Sequence, residues 1–119
     1  MSSLIKYKLN SALPADTNAR TLVNSVRSDQ RYYLQQLFIV NITGVASTYS
    51  IFVGPEANLS TGNALAYECP IGANTVVLFD LDIYLNKNEA LGIQSGTASA
   101  ICFSLFGQAE QDKGGPFVS

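Results

Sequence analysis

Histidine is absent from the 119 residues, and its absence removes a large part of enzyme chemistry. Ser-His-Asp and Cys-His arrangements have no base, and the commonest general acid–base side chain is gone. Cysteine is nearly as scarce. Cys69 and Cys102 allow one disulfide without requiring it, and in a reducing compartment two buried, unpaired thiols are the expectation. Two sulfurs without imidazole also make a poor zinc site, because zinc usually takes four nitrogen or sulfur ligands. Charged residues form 13% of the chain, about half of the usual ~25%. No run approaches the ~20 apolar residues that cross a bilayer, so no membrane partner is expected. The opening MSSLIKYKLNS lacks the apolar stretch of a signal peptide, which predicts a chain made in the cytoplasm and used without that export route. GPEANLSTG lacks the GK[ST] ending of a phosphate loop, and no spacing fits an EF-hand. No cofactor is expected.

What is present is alternation. Tyr49, Ile51 and Val53 alternate with Thr48, Ser50 and Phe52. Val77, Phe79, Leu81, Ile83 and Leu85 form an unbroken apolar row, and Ile101, Phe103 and Leu105 form another. A period of two places one set of side chains in a core and the other toward solvent or a partner. Clusters of Gly, Pro, Asn and Ser separate the runs: TGVAS, GPEANLSTGN, PIGAN, NKNE and SGTAS. These are turn formers. With weaker strands at 4–9 and 20–26, about eight short strands result. The predicted fold is all-β, a two-sheet antiparallel sandwich in jelly-roll or related Greek-key order. The stretch from Ala12 to Tyr33 has room for a helical turn, but extended structure is the favoured reading. The expected organisation is a single domain: an arm and first strands over 1–30, a sandwich body over 31–110, and a flexible tail over 111–119.

Charge is unevenly spread. Residues 1–31 carry Lys6, Lys8, Arg20, Arg27 and Arg31 against Asp16 and Asp29, a balance of +3. The remainder carries two lysines against seven acids, a balance of -5, which gives the net -2. Either this is ordinary surface charge, or a basic leading region meets an acidic neighbour such as another copy of the chain. Five dispersed cations are too few to argue for nucleic acid.

The carboxylates Asp80 and Asp82 are the one constellation with chemical potential. They share a strand face with Val76, Leu78 and Tyr84, because i and i+2 point the same way. They are weak metal candidates: calcium wants 6–8 oxygens, and the sequence places no further ligand. A glycosidase pair needs a raised pKa and a sugar cleft, for which the sequence holds no sign. The favoured reading is a strand surface that is apolar and partner-facing at one end and wet at the other. Six tyrosines suit interfaces, core edges or sugar sites. The sequons at Asn41 and Asn58 matter only in a secreted glycoprotein. The interface candidates are Lys6, Lys8, Arg20, Tyr32, Tyr84, Phe117 and Val118, the last two an apolar pair at the tip of the tail.

The segments FIVNITG, ASTYSIFVGP, ALAYECPIGANTVVLFDLDIYLNKNEALGIQSG and ASAICFSLFGQAE carry a resemblance. In this order they resemble small β-sandwich (jelly-roll) virion structural proteins of tailed bacteriophages, of the head decoration or cement type. Leu81, Ile83, Leu85, Asn88, Glu89, Leu91 and Ile93 match the hairpin part, and the match covers roughly residues 34–110. The first third departs from the pattern. The resemblance implies a non-enzymatic protein of the phage particle. It would be a homo-oligomer, with a trimer favoured, bound to the major capsid protein or another virion protein. A tail, neck or fibre-associated module and a carbohydrate-binding β-sandwich are the alternatives.

Overall fold

Alternation becomes strands almost throughout. The computed structural model describes residues 7–24, 30–55 and 59–111. Eight strands are formed: β1 (Tyr7–Ala12), β2 (Arg20–Asn24), β3 (Gln30–Asn41), β4 (Ser47–Pro55), β5 (Ala64–Ile71), β6 (Val76–Tyr84), β7 (Glu89–Ser95) and β8 (Ile101–Gln111). Among the described residues the only helical turn is a 3₁₀ turn, Thr61–Asn63, within the long β4–β5 loop. In the stretch from Ala12 to Tyr33 that had room for a helical turn, the described residues, 12–24 and 30–33, are loop and strand. The first strand runs on past the expected 4–9 to Ala12, and residues 4–6 lie outside the described residues.

The strands form two antiparallel four-stranded sheets, ordered β1-β8-β3-β6 and β2-β7-β4-β5. The pairs β1·β8, β2·β7, β3·β6 and β4·β5 are those of one long ribbon folded back at its middle. Rolling that ribbon brings β8 beside β3 and β7 beside β4. This is a jelly roll, one of the two topologies that the alternation left open.

The core lies between the sheets. Leu34, Leu37, Ile39, Phe103 and Leu105 from the first sheet meet Ile51, Leu91 and Ile93 from the second, all fully buried. Each such side chain contributes about 1.5–3 kcal/mol relative to exposure. The row on β6 is buried unequally: Leu81 is in the core, as is Leu85 just beyond the strand, while Val77, Phe79 and Ile83 are half-buried against it. β6 is an edge strand, so its core face is covered from one side only.

The connections β1–β2, β3–β4, β5–β6 and β7–β8 gather at one end of the sandwich and bond to one another. The Asn41 amide N–H donates to the Thr75 carbonyl, that of Ile42 to Ala100, and that of Ser99 to Pro14, each at 2.9 Å. Fully buried Asn41 organises this end. Its side-chain amide donates to the Val45 carbonyl at 2.8 Å, and its Oδ1 accepts from the backbone N–H and the hydroxyl of Thr43.

Candidate functional site

Each sheet has an outer face, and the two are finished differently. On the second sheet, Phe52 points outward, as its phase predicts, yet is 1% exposed. The β4–β5 loop covers that face. Leu59 sits over Gly92, where a Cβ would lie 2.7 Å from Leu59 Cδ1, and Asn63 sits over Gly54 at a similar distance. The Tyr67 ring closes the side at 6.5 Å from Phe52, centroid to centroid. The two glycines leave flat places on which the loop lies, and neither glycine nor loop composition announces this in the sequence.

Among the described residues, no segment covers the first sheet's outer face. Pairing register sets its side chains in cross-strand rows. Cys102, Val40 and Val76 form the row nearest the bonded loop end. Next come Ser11, Ser104, Phe38 and Leu78, then Lys8, Phe106, Gln36 and Asp80. Gln108, Tyr33 and Tyr84 form the last. The face is thus apolar at the loop end and polar at the other. Val76 and Leu78 are 55% and 54% exposed. The rings of Phe38 and Phe106 lie 5.1 Å apart.

Asp80 and Asp82 are both exposed on this face, as their phase implies. Strand β3 supplies a partner to each. Gln36 Nε2 donates to Asp80 Oδ1 at 2.9 Å, and the Tyr33 hydroxyl donates to Asp82 Oδ1. Tyr84 packs on Tyr33 with centroids 4.8 Å apart. The Asp82 carboxylate, by accepting a hydrogen bond from the phenol, holds the Tyr33 pKa above its ordinary 10. These partners depend on a bulge, in which Leu81 and Asp82 oppose the single residue Gln35. Asp82 takes φ 54° there, a left-handed conformation that Asp and Asn tolerate better than most residues. Tyr33, Gln35, Gln36, Asp80 and Asp82 line an open groove of about 330 Å³. Among the described residues no group of three or more His, Cys, Asp or Glu is placed to hold a metal ion. Each carboxylate is tied laterally into the sheet by its β3 partner.

The remaining candidates are dispersed. Lys8 is exposed on β1, across the same sheet from Asp80. Arg20 lies on β2 in the other sheet and is paired with Asp16 at 2.9 Å. The Asp16 pKa is lowered, chiefly by that hydrogen bond. Tyr32 packs against the core cluster, and Tyr84 is half exposed. Lys6, Phe117 and Val118 lie outside the described residues. The two cysteines are free and sit on different sheets. Both are unpaired, as expected, but half-buried where buried thiols were expected. Cys69 packs against the core, and Cys102 belongs to the outer row with Val40. Their half-burial follows from position, one on an edge strand and one on an uncovered face.

No protein-family profile matches the chain, and no curated protein sequence does. A solved structure to which the chain is similar is the coat protein dimer of Tobacco streak virus. That likeness has 12% sequence identity and a TM-score of 0.42, and it covers 92% of this chain and 84% of that one.

Proposed function

We propose that the chain is a structural protein of a virus particle that acts by binding and bracing. Specifically, it is a decoration (cement) protein on the outer surface of a phage head, working as a homo-oligomer. The observation that carries this reading is the outer face of the first sheet, a flat surface whose apolar half lacks any cover among the described residues. Contiguous exposed apolar surface on a small protein marks a site of association, and its mixed composition is that of an interface with an apolar centre and a polar rim. The jelly roll is an architecture that capsid proteins use, and the lateral hydrogen bonding of Asp80 and Asp82 favours a structural role for them over acid–base work. Many shallow contacts, repeated by symmetry, supply affinity without any single deep pocket. The trimer is the assembly implied by the phage resemblance.

The test is particle composition. Gradient-purified particles of the virus that encodes the chain are expected to contain it in many copies, with antibody label over the head. Label confined to the tail or neck would replace the head assignment, and absence from particles would overturn the virion reading.

A further inference from the structure

The outer face of the first sheet carries a pattern that selects its own partner. We propose that it packs against the same face of a second copy of this chain, about a twofold axis parallel to the strands and lying between β8 and β3.

The face has two gradients at right angles. Along the strands it passes from apolar (Val76, Leu78, Phe38) to polar (Tyr33, Asp82). Across the strands it passes from cationic to anionic, with exposed Lys8 on the β1 edge and exposed Asp80 and Asp82 on the β6 edge. A twofold axis along the strands keeps each row at its own level and exchanges the edges. Apolar rows then meet apolar rows, polar rows meet polar rows, and Lys8 of each copy comes over Asp80 of the other. An in-plane axis across the strands does the opposite. It lays the Leu78 end on the Asp82 end and sets the β1 edge against itself, cation beside cation. Face-to-face sheets pack about 10 Å apart with their strand directions within about 30° of each other, and an axis along the strands keeps the two copies inside that range. The second sheet does not compete for the role, because Leu59 and its loop already occupy the Phe52 region of its outer face.

Within one chain the Lys8 and Asp80 positions lie on the two edges of the four-stranded sheet, three strand spacings or about 14 Å apart. They do not pair internally, so any coupling between them is between copies. This allows a charge-swap test. Sedimentation of the full chain is expected to give a mass that is an even multiple of one chain, whether the contact joins single chains or trimers. Leu78→Asp, at a half-exposed position outside the core, is expected to weaken this association by more than about tenfold. Lys8→Glu and Asp80→Lys are each expected to weaken it on the order of 5-fold at low salt, and the double variant to restore it. Alkylation of Cys102 is expected to slow as protein concentration rises, with Cys69 unaffected. A monomer or a bare trimer at all concentrations overturns the proposal, as does a double variant no better than the singles. The inference shares with the virion reading the uncovered face of the first sheet, but its test is separate. A chain that pairs this way yet never enters particles retains it, and a particle protein that fails the charge swap loses it alone.

Discussion

Single side chains decide the character of the first sheet's outer face, and Tyr33 with Asp82 shows how. A phenol that donates to a carboxylate is harder to ionise, because the resulting phenolate would sit beside a like charge. The Tyr33 pKa is therefore raised, by the Asp82 hydrogen bond first and by partial desolvation next. Tyr49 is also raised, by burial and then by its neighbour Cys69. For a group whose folded pKa is raised, the stabilising contribution is complete below the unfolded value near 10 and is lost as pH climbs through the folded value. In an alkaline absorbance titration, Asp82→Asn is expected to bring one late-ionising tyrosine back toward 10 and leave Tyr49 late. An unchanged titration would show that the pair does not persist in solution. The placement of both aspartates opposite Phe79 and Leu81 was legible from a period of two. Their partners were not, since a bulge at Gln35 sets which β3 side chain meets each carboxylate, and a bulge leaves no mark in the alternation.

At the scale of elements, every edge strand departs from ideal pairing. The register shifts in β1 between Lys8 and Asn10, in β2 between Thr21 and Val23, and opposite β5 and β6 as well. Bulges twist an edge and spoil it as a template for further strands. Two of them hold an acid at positive φ, Glu68 at 49° and Asp82 at 54°, and the Glu68 amide N–H donates to Ser50 Oγ at 2.8 Å. The bulge at Gln35 also constrains its neighbour in β8. A Cβ on Gly107 would lie 2.1 Å from the Tyr33 carbonyl oxygen, which is backbone and cannot move aside. A Cβ on Gly92 would meet the tip of Leu59 at 2.7 Å, which can. Gly107→Ala is expected to cost about 1–3 kcal/mol or more, and Gly92→Ala about 1 kcal/mol or less. Denaturant midpoints at constant slope measure the difference, and the reverse order would contradict the packing described. Strand existence and turn positions were readable here, because turn formers and β-branched runs act locally. The covering of Phe52 was not, because it depends on a loop laid over two glycines distant in sequence.

For the molecule as a whole, the topology sets the kinetics. β1 pairs with β8, so Tyr7 meets Gly107 across almost the full chain. Closing so long a loop must precede the contacts that reward it. Stopped-flow refolding is expected on the millisecond-to-second scale, and a microsecond relaxation would rule out this strand order as the rate-limiting event. The same non-local pairing explains why the sequence pointed to a sandwich but left jelly roll and Greek key open. Alternation states which way a side chain faces, and strand order is a choice among partners that it does not encode.

Asn41 is the acceptor of an Asn-Ile-Thr sequon, and its amide nitrogen is the atom that bonds the Val45 carbonyl inside the closed loop end. A sugar added to that nitrogen would replace one of its hydrogens and needs space that the folded chain does not leave. Modification and folding are therefore mutually exclusive at this residue. A eukaryotic secretory host would race its glycosylation machinery against the closing of the sandwich, and each chain glycosylated first would be withheld from the native state. A bacterial host imposes no such contest.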